Sequence, residues 1–195
     1  FHSWSNTSGG GPVREAVFAQ LRYSAELLNA RCPEHLRPEL YSAVCRLAGT
    51  AGFTAFDAYA HDDARRIFRF AIACAEHAGN WGMRAVALSD VARQAFLLGD
   101  HDSSLTAIES ALIRADRLTP IERAMLHSFR ARVLATIGRT QDALAAIARA
   151  DDEFSNANSA GVSDPWHMDW YDTAEHDGEI GHALAALAMH GRTRD

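Results

Sequence analysis

The chain has 195 residues, of which 48% are hydrophobic, and its formal net charge at pH 7 is −6. This length suits one domain or one continuous repeat array, and the share of hydrophobic residues is large enough for a buried core. The acidic balance argues against a chain that grips a nucleic-acid backbone by itself. No run of about 18 apolar residues occurs, so we expect neither a membrane-spanning helix nor a membrane partner.

The cysteines and the first residues of the chain indicate in which cellular compartment the protein is found. Cys32, Cys45 and Cys74 are odd in number and lack the spacing of metal ligands, which is typical of reduced thiols. The chain does not open with a charged segment followed by an apolar one, as a secretion signal would. We therefore expect a cytoplasmic protein.

Apolar residues recur at helical spacing along most of the chain, and no segment alternates as a strand would. Residues 1–12 are polar and rich in glycine, which predicts a linker or a trimmed end. Residues 13–195 are predicted to form one helical repeat domain, with a first helix over 13–30. Four helix pairs are predicted after it, at about 36–78, 81–116, 120–155 and 167–190. Their individual helices are predicted at about 36–58, 61–78, 81–98, 102–116, 120–137, 140–155, 167–177 and 180–190.

Two kinds of end signal separate these helices. Thr119 stands where an N-cap is expected, Pro120 takes the first helical position, and Glu122 comes three residues after the cap. This order predicts a capping box and a helix start. Gly79 and Gly99 directly follow two of the predicted helices, which is typical of a C-terminal glycine cap.

An internal repeat is the strongest pattern in the sequence. Its four segments begin at Tyr59, Gly99, Gly138 and Gly178, each 39 or 40 residues after the last. Each segment is predicted to close one helix with a tight turn and to open the next. The sixth residue of every segment is small: Ala64, Ser104, Ala143 and Ala183. In the first three segments a second alanine follows seven residues later, with a bulky apolar residue between: Ala71, Ala111 and Ala150, with Phe68, Ile108 and Ile147.

Small residues at this spacing allow two antiparallel helices to approach closely, and the tetratricopeptide repeat uses the same device with a period of about 34 residues. One such pair cannot bury its apolar face alone, so neighbouring pairs must stack. We therefore expect an all-α, tetratricopeptide-like superhelical solenoid of antiparallel helix pairs. Its first helices are expected to line a concave groove for a peptide, a helix or an elongated ligand.

The repeat alignment also predicts which side chains face that groove. The candidates are Arg46, Phe53, Phe56, Asp57, Arg93, Phe96, Arg132, Asp172 and Glu175. Arg93 and Arg132 hold equivalent repeat positions, and guanidinium groups bind carboxylates and phosphates bidentately. The alternative for the two arginines is an internal salt bridge with Asp57, Asp90 or Asp172. The alternative for Phe53 and Phe56 is a place in the core, because aromatic residues at helical spacing usually pack.

A second cluster of polar residues lies near the end of the chain. Its members are His167, Asp169, Asp172, His176, Glu179 and His182, next to Trp166, Trp170 and Tyr171. A zinc site needs three or four converging ligands, and no motif such as H-E-x-x-H is present. We therefore favour a solvated polar helix face over a metal site. The aromatic residues are predicted to cap the end of the array or to contact a partner.

Motifs of catalysis are missing from the sequence. It contains no G-x-S-x-G elbow, no glycine-rich phosphate loop after a strand and no cysteine-centred motif. The ten histidines are scattered, and His61 and His101 share one repeat position, which indicates a structural role in the turn. We expect no enzyme, no metal and no cofactor.

Several segments together carry a family resemblance. They are Gln20–Tyr23, Ala51–Ala71, Ala92–Ala95, Arg114–Pro120, Glu122–His127, Asp164–Trp166 and Trp170–Asp172. These segments resemble the C-terminal tetratricopeptide-like portion of helix-turn-helix transcriptional regulators of filamentous actinobacteria. The resemblance covers most of residues 9–190.

The resemblance implies a sensory and dimerisation domain of a transcriptional regulator. Such a domain would bind a peptide or small-molecule effector and form a homodimer. It would reach DNA only through an N-terminal domain of the phage-repressor type, which this chain lacks. The alternative is a stand-alone protein–protein adaptor that holds a partner peptide in its groove.

Overall fold

The structure, a computed structural model, describes residues 10–159 and 165–192, and it describes side chains over 14–159 and 165–190. Over these ranges the chain is all-α and contains no strand, so the predicted fold class is confirmed at that level. The helices are α1 (Gly10–Leu27), α2 (Arg37–Asp57), α3 (His61–Ala78), α4 (Trp81–Leu97), α5 (His101–Leu112), α6 (Pro120–Thr136), α7 (Thr140–Ser159) and α8 (Thr173–Arg192). Single 3₁₀ turns lie at Glu34–Leu36, Ala115–Arg117 and Trp166–Met168.

The described residues form two compact units, and the division between them falls between Gln94 and Ala95. In the first unit α3 packs along α2, and α1 packs on α2. Its core consists of small and medium side chains from four helices: Val17, Leu21, Val44, Cys45, Ala48, Ala51, Ala71, Cys74, Ala75, Met83 and Ala87. A second cluster in this unit joins Ala55, Ala64 and Phe68.

The second unit is organised around α6. Helices α7 and α8 both pack along α6, and α5 also contacts it. A core cluster here again consists mostly of alanine: Ala131, Leu134, Ala135, Ala143, Ala146 and Ala183. Larger side chains of α6, among them Phe129, Met125 and Leu126, are fully buried beside this cluster.

The small residues of the internal repeat are buried, as the sequence predicts. Ala64, Ser104, Ala143 and Ala183 are each 0% exposed. The second alanines, Ala71, Ala111 and Ala150, are at most 1% exposed. The approach of α2 to α3 is close enough that a Cβ on Gly52 would lie 2.3 Å from the Phe68 ring. Small side chains are therefore a steric requirement at this helix contact.

The tight turns between helices share one backbone conformation. Tyr59, Gly79, Gly99 and Gly138 all have a positive φ, between 59° and 80°. Each donates its N–H to the carbonyl three residues back, and the next residue donates to the carbonyl five residues back, at 2.9–3.1 Å. This is the Schellman pattern, which satisfies the last carbonyls of a helix. The predicted turns at Tyr59, Gly79, Gly99 and Gly138 are therefore confirmed.

An aromatic contact repeats with two of these turns. Phe56 packs on His61 with ring centroids 5.0 Å apart, and Phe96 packs on His101 at 5.2 Å. Both histidines are the first residues of their helices. The shared position of His61 and His101 thus has the structural role that the sequence predicts.

The fourth repeat segment is different, and the prediction of two helices over 167–177 and 180–190 is wrong. Helix α8 runs without a break from Thr173 to Arg192, with Gly178 and Gly181 inside it. A glycine inside a helix costs about 1 kcal/mol relative to alanine but ends the helix only where it turns left-handed. The start of α8 is set by Asp172, whose Oδ1 accepts the Glu175 backbone N–H at 3.0 Å.

Other predicted boundaries need smaller corrections. Helix α1 begins at Gly10, so three residues of the predicted 1–12 linker are helical, and Pro12 is tolerated because it lies in the first turn. Residues 1–9 lie outside the described part. The helix predicted at 102–116 ends at Leu112, because Ile113 is extended and Arg114 has a φ of 67°. Helix α6 begins at Pro120 as predicted, and Glu122 accepts the Thr119 backbone N–H at 2.7 Å.

Tyr59 carries a strain that its glycine counterparts avoid, because a side chain disfavours positive φ by roughly 1–2 kcal/mol. We expect Tyr59→Gly to raise the free energy of unfolding relative to Tyr59→Ala by about 1 kcal/mol, measured by urea unfolding. The alanine variant is the control, because it removes the exposed ring but keeps the Cβ. A glycine variant no more stable than the alanine variant would contradict a left-handed Tyr59.

Candidate functional site

The predicted groove residues of α2 divide between core and surface. Phe53 meets Phe68 edge-on at 5.3 Å, and Phe56 packs on His61. Both rings are half-buried against the cluster of Ala55, Ala64 and Phe68, so they belong to the core of the first unit. Arg46 and Asp57 are exposed on the same helix.

A buried carboxyl on α4 is the most unusual group of the first unit. Asp90 is only 7% exposed and lies against α2, where a Cβ on Gly49 would be 3.4 Å from its Oδ2. Burial raises the pKa of Asp90 from 3.8 to about 7, although the nearby guanidinium of Arg93 acts to lower it. The carboxyl of Asp90 therefore changes charge near neutral pH.

Two cysteines lie in the same core, and Cys45 is close both to this carboxyl and to Cys74. Burial raises the pKa of Cys45 to about 12, with smaller contributions from Cys74 and Asp90, and burial raises that of Cys74 to about 11. Thiols with such high pKa values are poor nucleophiles at neutral pH. Both cysteines are therefore packing residues.

In the second unit the predicted groove residues Phe96 and Arg132 contact each other. The Arg132 guanidinium lies 5.0 Å from the centre of the Phe96 ring, a cation–π distance. Its Nη1 is 3.2 Å from Oε2 of Glu179 on α8, and Glu179 is 4% exposed. The alternative of an internal salt bridge is thus realised for Arg132, with a partner that the sequence did not suggest.

The remaining groove candidates, Asp172 and Glu175, lie at the start of α8. Asp172 is exposed and caps the helix through the bond to the Glu175 backbone, while Glu175 itself is half-buried. An N-terminal aspartate satisfies otherwise unpaired N–H groups of a helix. Asp172 therefore has a structural role whether or not a ligand is bound.

His176, from the polar cluster near the end of the chain, belongs to a hydrogen-bonded chain in the second unit that is buried except at Asp151, whose side chain is 56% exposed. The Tyr171 hydroxyl is 2.8 Å from Ser128 Oγ on α6 and 2.9 Å from Nδ1 of His176 on α8. The other ring nitrogen of His176 lies 2.9 Å from Oδ1 of Asp151 on α7. Phe154 stacks on the imidazole at 4.2 Å. These contacts join α6, α7 and α8.

The order carboxylate–imidazole–hydroxyl is that of a nucleophilic relay, but burial excludes this use. A carboxylate only accepts hydrogen bonds, so Nε2 of His176 donates to Asp151. The hydroxyls at the other end are closed to a substrate, because Ser128 is 0% exposed and Tyr171 is 3% exposed. The chain of contacts therefore stabilises helix packing.

A second buried pair lies beside this chain. His167 Nε2 is 2.7 Å from Oε1 of Glu122, which ties the 3₁₀ turn at 166–168 to the start of α6. Burial acts to raise the pKa of Glu122, but hydrogen bonds from His167 and Thr119 outweigh it and lower the pKa. His176 and Glu179 are also buried, so a solvated helix face is the wrong description for this part of the predicted cluster.

Over 10–159 and 165–192, no three His, Cys, Asp or Glu side chains converge as metal ligands would. None of the helices in these ranges combines the length and the apolarity that crossing a bilayer requires. Comparison of the chain with family models, with curated proteins and with solved structures finds no match.

The pKa of Asp90 predicts a pH dependence of stability. Between about pH 4 and pH 7 the native state holds a proton that the unfolded state has lost, so stability falls as pH rises through this range, by up to about 4 kcal/mol. We expect Asp90→Asn to flatten this slope and to raise the melting temperature at pH 8, measured by circular dichroism. Asp57→Asn, exposed on α2, is the matched control. An unchanged slope in Asp90→Asn would show that the carboxyl is not buried in this way.

The hydroxyl of Tyr171 serves two buried partners, so its loss should be costly. We expect Tyr171→Phe to lower the free energy of unfolding by about 2 kcal/mol, because Ser128 and His176 each lose a hydrogen-bond partner. Tyr23→Phe, at an exposed position, is the control. Equal stability of the two variants in urea unfolding would contradict the buried hydrogen-bonded chain.

Proposed function

We propose that the chain is a tetratricopeptide-like superhelical solenoid of antiparallel helix pairs. Two observations support this arrangement: the recurring left-handed turn, and the buried small residues at the sixth position of all four repeat segments and at the thirteenth position of the first three. In repeat arrays each helix pair depends on its neighbours to bury an apolar face. The pairs α2–α3 and α6–α7 are two helix pairs of this kind.

The function that this architecture supports best is recognition. We infer that the chain is the regulatory domain of a cytoplasmic transcriptional regulator, which binds a peptide or small-molecule effector and mediates homodimerisation. The recurring helix pair is the observation that carries the proposal, because stacked pairs present extended surfaces for binding. The resemblance to helix-turn-helix regulators gives the biological setting, with DNA bound through a domain outside this chain.

Burial of the reactive side chains favours recognition over catalysis. Ser128, Tyr171, His176 and both core cysteines are closed to a substrate or poorly nucleophilic. On α2, by contrast, the predicted groove residues Arg46 and Asp57 are exposed. A carboxyl as costly to bury as Asp90 is typical of positions that serve function at the expense of stability.

Two measurements test this function. The coding sequence directly before Phe1 should encode a helix-turn-helix segment, and sedimentation equilibrium should give twice the mass of the 21.3 kDa chain. A reading frame without that segment, together with a monomer at every concentration, would contradict the regulator. Peptide binding by such a monomer would then identify the stand-alone adaptor.

A further inference from the structure

A cavity in the first unit lies between α1 and α3. None of the predicted groove residues lines it. Its volume is about 270 Å³, and it is lined by Phe18, Leu21, Arg22, Asp63, Arg66 and Ile67. Small-molecule pockets in proteins have volumes of about 300–1,000 Å³. The cavity is therefore sized for a ligand smaller than a typical drug molecule.

The floor and the rim of the cavity differ in chemistry. Phe18, Leu21 and Ile67 supply apolar surface from two helices; Leu21 belongs to the core, and Phe18 and Ile67 pack against it. Burying a hydrocarbon chain on such a surface is favourable because it removes apolar area from water. The floor thus selects for an apolar group.

The rim carries an excess of positive charge. Asp63 Oδ1 is 2.6 Å from Arg66 Nη2, and its Oδ2 is 3.4 Å from Arg14 Nη2. The Arg14 guanidinium also lies 5.2 Å from the centre of the Phe18 ring. Arg22 and Arg66 bring two guanidinium groups to the lining of the cavity, and Asp63 brings one carboxylate. Arg14, which contacts Asp63, adds a third guanidinium beside it.

These guanidinium groups keep donors for a ligand. A guanidinium has five N–H donors, and the bond to Asp63 uses one of those on Arg66. Arg66 and Arg22 both line the cavity and are exposed, so an anionic group at the mouth reaches them without rearrangement of the core. Arginine–carboxylate contacts are bidentate where the geometry allows, which adds specificity for a planar anion.

We propose that this cavity binds a small amphipathic carboxylic acid, with its hydrocarbon chain on Phe18, Leu21 and Ile67 and its carboxylate on Arg22 and Arg66. The site rests on the cavity and its charge, so it stands or falls independently of the regulator assignment. Where the regulator assignment also holds, the acid is the effector and α1 with α3 forms its receptor.

The test compares three probes of equal chain length on the intact chain by isothermal titration calorimetry. Octanoate should bind, 1-octanol should bind at least tenfold more weakly, and octylammonium should show no saturable heat. Equal binding of octanoate and 1-octanol would overturn the role of the arginines. Saturable binding of octylammonium would overturn the class of ligand.

Variants locate the site. Arg22→Gln with Arg66→Gln, at two exposed positions, should weaken octanoate at least tenfold and bring it close to 1-octanol. Ile67→Trp should fill the cavity and abolish binding of both probes. Arg69→Gln is the matched control, because this arginine is exposed on α3 but does not line the cavity. Octanoate affinity that is unchanged in the double variant, or lost equally in the control, would contradict the proposed site.

Discussion

Close helix contact through alanine-sized side chains is the constraint on which the fold depends. Neighbouring helices can share a core built from Ala48, Ala51, Ala71 and Ala75 only if their axes come close enough for small side chains to touch. Gly52 shows how little space remains, since even a Cβ would enter the Phe68 ring. Alanine loses no side-chain entropy on burial. Each close contact adds a small dispersion attraction, so a core of this kind is stabilised by many short contacts instead of a few large side chains.

The features predicted correctly from the sequence are those with a local cause. The helix start at Pro120 follows from three neighbouring residues, and the turns at Gly99 and Gly138 follow from the freedom of glycine at positive φ. The burial of Ala64 and Ala143 follows from the repeat, because residues with the same position in a repeat have the same surroundings. The helix start and the turns need no knowledge of distant parts of the chain, and the burial of the alanines needs only a comparison of the repeat segments with one another.

The errors and omissions have two kinds of cause: a turn that does not form at Gly178, and contacts between residues that are distant in sequence. Gly178 matches the turn glycines of the earlier repeats, yet it lies inside α8, since a turn needs its own αL conformation and hydrogen bonds. The partner of Arg132 is Glu179, 47 residues away, and no spacing rule links the two. The burial of His176 depends on Asp151 and Phe154 from another helix.

The buried carboxyl of Asp90 in the first unit and the buried hydrogen-bonded groups of Ser128, Tyr171 and His176 in the second unit differ in their effect on stability. In the second unit the groups of Ser128, Tyr171 and His176 satisfy one another, so their burial is compatible with a stable core. In the first unit burial shifts Asp90 toward its neutral form, which is expensive at high pH. The cavity beside Arg66 adds a place where the first unit meets a ligand. The first unit therefore combines the costly carboxyl and the charged cavity, whereas the cluster of Ser128, Tyr171 and His176 in the second unit serves helix packing.

The most direct test of close alanine packing is a comparison of two enlarged alanines. Ala111 on α5 is 1% exposed, whereas Ala148 on α7 is exposed. Thermal unfolding should show that Ala111→Trp lowers the free energy of unfolding by about 1–3 kcal/mol, because overpacking forces the helices apart. Ala148→Trp should unfold at nearly the temperature of the unchanged chain. Equal melting temperatures for the two variants would contradict close helix packing through alanine side chains.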